Sequence, residues 1–241
     1  MSAHLSHASD SLQEILENNR KWSEEQKASN PEFFSKLANI QTPQWLWIGC
    51  SDSRVPANQL MGLGPGEVFV QRNVGNLVTH KDMNAMSCLE YAVTALKVRH
   101  IIVCGHHDCG AMKGALTMPA TAGGLVNLWI QDIRDTRDRN INELQHYRGI
   151  DQVNKLAELN VLRQVFNLCS SPVVQAAWAS GQPLSIHGVI YALEDGRLRE
   201  LAPPITCVDD VEEYAKSKLG DLRHLSRNLL QHLKFKTGAT A

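Results

Sequence analysis

The sequence predicts an α/β fold: a mostly parallel central sheet of about four strands plus an antiparallel edge strand, flanked by helices. Three observations predict it. Four short apolar runs, at 45–50 (WLWIGC), 67–72 (EVFVQR), 100–106 (HIIVCGH) and 184–193 (LSIHGVIYAL), are strand-length and end in turn residues. Segments of helical period lie between them, and that alternation is the mark of strand–helix–strand units with parallel strands. Asp195-Gly196 closes the last run as a turn, so 197–201 (RLREL) is expected to return antiparallel.

The elements follow in order. Residues 1–10 read as a flexible N-terminus. Ser11-Leu-Gln-Glu14 has the form of a capping box and predicts a helix through about Glu25. Pro31 suits the start of a second helix, carried by 32–38 (EFFSKLA). These make a helical arm over 11–42, ahead of an α/β core at 43–200. Within the core, Met86, Leu89, Ala92, Val93 and Leu96 have helical spacing and predict a helix over 84–98. Further helices are expected near 151–168 and 171–180. Arg134, Arg137 and Arg139 alternate with Asp132, Asp135 and Asp138, a pattern that reads as a solvated helix face. Amphipathic stretches at 208–218 and 221–233 form a C-terminal helical region, 201–241. No repeat and no long linker interrupts the chain, so 11–241 reads as a single domain.

Composition excludes several classes of function. The 241 residues carry a formal net charge of −1, with 43% hydrophobic and 20% charged residues. No broad basic field is present to hold nucleic acid or an anionic membrane. The N-terminus lacks a basic segment followed by an apolar run, and so does not read as a secretory signal. The longest stretch without Asp, Glu, Lys or Arg, 164–193, contains Pro172, Gly181, Pro183 and Gly188 and does not read as a membrane span. The expected location is the cytoplasm. There, thiols stay reduced, and Cys88, Cys104, Cys169 and Cys207 are expected to be structural.

Two strand ends carry the chemistry. Cys50-Ser-Asp52-Ser-Arg54 follows the first run, and His106-His107-Asp108-Cys109-Gly110 follows the third. In open α/β sheets, sites form beyond the carboxyl ends of the strands, so the two loops can meet. Cys50, His106 and Cys109 would then offer two thiolates and one imidazole. That set suits zinc and leaves a fourth tetrahedral position.

C-x-D-x-R at one strand end and H-x-x-C-G at another form the double signature of the β-class carbonic anhydrases, which this chain resembles. The resemblance extends through 47–56 (WIGCSDSRVP), 65–76 (PGEVFVQRNVGN), 89–93 (LEYAV), 158–161 (ELNV) and 186–191 (IHGVIY), and spans about residues 15–200. It implies reversible hydration of CO₂ to bicarbonate and a proton, by attack of a zinc-bound hydroxide, with Zn²⁺ as cofactor. Two thiolates and a neutral imidazole acidify water less than three imidazoles would, so polarising neighbours are useful. Asp52 is expected to accept the nucleophile's hydrogen bond, and Arg54 to keep Asp52 ionised and oriented.

By position, the resemblance also assigns Gln41 as a substrate-binding amide, Phe69, Val74 and Tyr91 as an apolar substrate pocket, and Gly110 as a backbone N–H donor. Trp47, Arg72 and Tyr191 match a second, non-catalytic bicarbonate site found in some members. Its occupation favours a closed state in which the aspartate, here Asp52, is the fourth zinc ligand. The plainer reading makes Trp47 and Tyr191 core aromatics and Arg72 a structural ion-pair donor. His107 is either a packing residue or a proton carrier at the cleft mouth. The expected partners are CO₂, bicarbonate and further copies of the chain, as a homodimer or homotetramer. Rival readings are a carbonyl sulfide or carbon disulfide hydrolase, and a non-catalytic zinc- or bicarbonate-binding protein.

Overall fold

A computed structural model describes residues 11–39 and 41–219. The expectations for residues 1–10 and for a helix over 221–233 lie outside the described residues. The chain divides into two compact units, one ending at Gln41 and the other beginning at Thr42.

The N-terminal unit holds α1 (Leu12–Ser29) and α2 (Phe33–Asn39). Helix α1 runs one turn beyond the predicted end. Arg20 bonds Glu17 and Glu24, pairs at the three- and four-residue spacing that supports an exposed helix. Trp22 meets Phe33 and Phe34 edge-to-face, with ring centroids 6.2 and 5.7 Å apart.

The second unit is built on five strands: β1 (Trp45–Cys50), β2 (Val68–Asn73), β3 (His100–His106), β4 (Ser185–Ala192) and β5 (Arg197–Glu200). Their spatial order is β2-β1-β3-β4-β5; the first four are parallel and β5 is antiparallel to β4. The connecting elements are α3 (Ala57–Met61), α4 (Met83–Glu90), α5 (Gly110–Thr117), α6 (Leu125–Trp129), α7 (Gln131–Arg139), α8 (Ile141–Leu144), α9 (Gly149–Cys169) and α10 (Pro172–Ala179); α11 (Val208–Lys218) follows the sheet.

The sheet is covered on both faces, as parallel strands require. On one face, Leu46, Ile48, Ile101, Val103, Ile186 and Ile190 pack with α9 in the main core. Contact is close: a Cβ built on Gly105 would lie 2.5 Å from Val161, so this strand needs glycine where α9 crosses it. On the other face, Trp47, Ile102, Cys104 and Tyr191 form a smaller core with Val55 and Ala57.

Two expectations need correction. The predicted helix over 84–98 is interrupted: α4 gives way to a π-helical turn at Tyr91–Ala95, where the Leu96 N–H donates to the Tyr91 carbonyl five residues back. The charged face of α7 is not wholly solvated. Arg134 is only 3% exposed, and it donates to the backbone oxygen and the side-chain oxygen of Asn127. An alternation of charges along a helix does not say which turn faces inward. Of the four cysteines expected to be structural, Cys104 and Cys169 are buried and Cys88 is partly buried, whereas Cys207 is exposed at the start of α11.

Candidate metal centre

Strand order reverses between β1 and β3, with β2 on one side and β4 and β5 on the other. Connections leaving these two strands therefore diverge, and the gap between them is where open α/β sheets take ligands. Cys50 ends β1 and His106 ends β3 at that gap. Cys109 is the N-cap of α5. It is brought back toward the strands by Asp108, whose φ of 58° is left-handed, a conformation aspartate tolerates better than most residues. Asn154 fixes that turn by accepting from the Asp108 N–H at 2.8 Å.

Cys50, His106 and Cys109 are all buried, and their ligand atoms lie within 4.8 Å of one another, the one such cluster among the described residues. The two sulfurs are 4.0 Å apart. Tetrahedral zinc at about 2.3 Å from each sulfur would place them about 3.8 Å apart. The His106 Nδ1–H donates to the His107 carbonyl at 2.9 Å. That bond leaves the lone pair on Nε2, a buried atom with no hydrogen-bond partner. An orphaned imidazole nitrogen facing two thiols fits a thiophilic cation.

Electrostatics favour ionisation of one thiol of the pair. Hydrogen bonding from Cys109 holds the Cys50 thiol down at about 4, against the cost of burial, and His106 and the Gly75 and Asp52 backbones assist. The proton left on Cys109 is then held by the adjacent Cys50 sulfur, which pushes that second thiol upward. Gly75 cannot be replaced without strain: its φ is 82°, and a Cβ would come within 2.9 Å of Ile133.

Asp52 stands beside the cluster, with Oδ2 3.7 Å from His106 Nε2. Arg54 grips it with a fork: Nε donates to Oδ1 at 3.0 Å, Nη2 to Oδ2 at 2.8 Å, and the Arg54 backbone N–H to Oδ1 at 2.9 Å. The guanidinium holds the Asp52 carboxyl well below the usual carboxylate range. Arg54 also donates to the Asp108 carboxylate at 3.3 Å, and Lys113 pairs with the same group. The two loops are thus clipped together by the Arg54–Asp108 pair, with Lys113 steadying Asp108 from α5; neither Asp108 nor Lys113 is singled out by the sequence, and the left-handed turn needed between His106 and Cys109 was the available signal.

Arg72 spends its donors on backbone carbonyls and, among the described residues, forms no ion pair. Its Nε donates to the Cys50 carbonyl at 2.9 Å and its Nη2 to the Asp52 carbonyl at 2.5 Å, so it braces the ligand loop. Trp47 and Tyr191 lie in the smaller core. The Trp47 Nε1 is buried without a partner, folded over Gly49, where a Cβ would lie 2.2 Å from it. His107 donates its N–H to the Tyr191 carbonyl at 3.0 Å, and its ring Nε2 lies 3.5 Å from Glu158.

The apolar residues separate into two places. Phe69 and Tyr91 touch, with ring centroids 5.8 Å apart, and Tyr91 is half exposed. Val74 instead borders an open apolar hollow of about 510 Å³ with Leu125, Val126, Leu128 and Trp129, and its carbonyl accepts from the Trp129 indole at 2.7 Å. The apolar run after Gly123-Gly124 is a signal for that hollow that the sequence reading passes over. Gly110 is exposed at the start of α5, and Gln41 is exposed at the end of the N-terminal unit.

The carbonic anhydrase family model matches residues 45–198. A carbonic anhydrase of Emericella nidulans is 46% identical over 189 residues, covering 78% of this chain and 82% of its own length. A solved β-carbonic anhydrase of Coccomyxa, in complex with acetazolamide, has a TM-score of 0.84 and 49% identity, covering 96% of this chain and all of its own. One of two tetrameric β-carbonic anhydrases of the filamentous ascomycete Sordaria macrospora has a TM-score of 0.78 and 37% identity, covering 82% of this chain and all of its own.

Proposed function

The chain belongs to the β-class carbonic anhydrases, enzymes whose general reaction is the hydration of CO₂, and on that premise we propose that it carries out this reaction with zinc held by Cys50, His106 and Cys109. The observation that carries the proposal is the buried Cys-His-Cys cluster with the forked Asp52–Arg54 pair beside it. Zinc, when bound, supplies a Lewis acid that makes a water molecule nucleophilic near neutral pH. The protein's part is to hold the nucleophile and the substrate. Asp52 stays ionised in the grip of Arg54 and offers an oxygen to the nucleophile's remaining proton, which fixes the direction of attack. Val74 at one place, and Phe69 and Tyr91 at another, are the proposed apolar wall for a nonpolar substrate, brought together between copies of the chain; the Gly110 N–H would donate to its oxygens, as would the Gln41 amide of a second copy.

Held at both carboxylate oxygens by Arg54, Asp52 would stand beside a bound metal as an acceptor for the nucleophile, the open reading of the site. One observation favours the closed alternative under bicarbonate, the partnerless Trp47 Nε1, a donor waiting for an acceptor. Trp47→Phe is expected to relieve bicarbonate inhibition if Trp47, Arg72 and Tyr191 hold that anion; unchanged sensitivity would remove the regulatory site from the proposal.

The chain is further proposed to act as a homo-oligomer, a dimer or a tetramer, which would cover the exposed apolar side chains of Leu125, Val126 and Leu128. Among the described residues, no helix is long and apolar enough to cross a membrane, and cytoplasmic function is part of the proposal.

Stopped-flow hydration of CO₂ by the zinc-loaded chain tests the main reading. Cys109→Ser is expected to lose both the metal, by mass spectrometry, and the activity. Faster turnover of carbonyl sulfide or carbon disulfide than of CO₂ would transfer the assignment to those substrates. Bound zinc with no hydratase activity at any pH would leave a binding protein.

A further inference from the structure

At the opposite end of the sheet, the first residues of the strands bring together a second group of metal-ligating side chains that the reaction does not use. Trp45, His100 and His187 lie on the face of the smaller core, and Glu200 borders them from β5. His100 and His187 are diagonal neighbours on adjacent parallel strands, His100 standing opposite Ser185 and His187 opposite Ile102. The His100 Nδ1 is 3.2 Å from the His187 Nε2. The other His187 nitrogen, Nδ1, is 3.6 Å from the Glu200 carboxylate. The Trp45 indole stacks on the His100 ring, with centroids 4.3 Å apart and planes inclined by 21°. His100 opens β3 and His106 closes it, so the two groups are about 20 Å apart at a strand's rise of about 3.3 Å per residue.

We propose that His100 Nδ1 and His187 Nε2 form a second site, for a divalent first-row transition ion of the kind that prefers imidazole, with Glu200 as the carboxylate that orients His187. The argument rests on two features. The carboxylate beside His187 Nδ1 favours the tautomer with hydrogen there, which puts the lone pair on Nε2, toward His100. A carboxylate behind a histidine is the usual support of a metal-ligating imidazole. The second feature is spacing. With metal–nitrogen bonds of about 2.0–2.1 Å, nitrogens 3.2 Å apart subtend roughly 100° at the ion, near the tetrahedral value of about 109°.

Burial, with the neighbouring His187 and Arg99, holds His100 below the ordinary imidazole range. Without metal, a proton on His100 Nδ1 bridges the two rings. On binding, that proton is exchanged through solvent for one on His100 Nε2, and each lone pair turns to roughly 40° off the nitrogen–nitrogen line to meet the ion. The Glu200 carboxylate offsets the repulsion between a cation bound here and the Arg99 guanidinium. Water completes the coordination, since both imidazoles are only partly buried and Glu200 is half exposed.

Nickel(II) is the probe, added to the chain with zinc already in the Cys50–His106–Cys109 site, near pH 7.5. Trp45 reports occupancy, because a paramagnetic ion on His100 quenches the indole stacked on it. The expected result is a saturable quench, with one nickel per chain bound at this site by equilibrium dialysis. His187→Gln is expected to abolish both the quench and that equivalent. Trp45→Phe should keep the bound nickel but lose the quench. Glu200 is exposed, so Glu200→Gln leaves the fold intact, and it is expected to weaken nickel binding about tenfold. The proposal is overturned if the wild-type chain shows no saturable quench beyond that of His187→Gln. It is equally overturned if Glu200→Gln binds nickel as tightly as wild type, a result that does not depend on either histidine variant folding.

Discussion

Arg54 shows how much a single residue can organise. Its fork holds both oxygens of Asp52, while the other edge of the guanidinium reaches Asp108 in the second ligand loop. A lysine would keep the charge and lose the fork. Arg54→Lys is therefore expected to retain zinc and fold, by metal analysis and circular dichroism, while kcat/KM for CO₂ falls about tenfold or more. The pairing of Asp52 with Arg54 was legible in the sequence because the partners are two residues apart beside a cysteine. The bond between Arg54 and Asp108 was not, because it spans 54 positions and depends on a left-handed turn. Arg72 shows the same limit from the other side: its type suggests an anionic partner, yet its donors go to backbone carbonyls exposed by the turn after β1.

The ends of the elements were readable wherever polarity changes abruptly. β1 and β3 begin and end where their apolar runs do, and β2 lies one residue later than its run. The π-helical turn was not readable, since a hydrogen bond five residues back has no compositional mark and the apolar spacing around it stays near-helical. Close packing at element crossings gives a sharp test. Gly105→Ala would push a methyl into Val161 and Ile190 and is expected to cost about 1–3 kcal/mol in denaturant unfolding. Gly123→Ala, with nothing within 4 Å of its Cβ, is the matched control.

The start of α11 offers a test by pH. Asp210 accepts from the backbone N–H and the hydroxyl of Thr206, both at 2.8 Å, and these bonds hold its carboxyl below the ordinary range. A depressed folded-state pKa contributes stability that is present above the unfolded value of about 3.9 and is lost as pH falls through the folded value. Asp210→Asn is thus expected to be less stable than wild type from neutral pH down to about pH 5, with the gap closing below about pH 4 in thermal melts.

The molecule as a whole follows from one topological fact, the reversal of strand order between β1 and β3. The alternation of strands and helices announces a parallel sheet, and the two motif-bearing strand ends announce that their strands are neighbours. What the sequence does not carry is which residues line the approach, because a pocket wall and a core are made of the same side chains. Val74 and Leu125 show this: they share the apolar hollow although 51 positions separate them.

The same strand order leaves β2 and β5 at the two margins of the sheet, and they differ as colloidal surfaces. β5 reads Arg-Leu-Arg-Glu and turns charge outward, the ordinary defence against strand addition. β2 opens with Val-Phe-Val, and Val70 is over a third exposed, with no strand on its outer side among the described residues. Under heat or mild acid, ordered aggregates are expected to nucleate at β2 and not at β5. Val70→Lys should lengthen the lag before thioflavin-positive material forms, and a charge-neutralising Arg199→Val should shorten it only if the guarded margin, too, is held apart by charge.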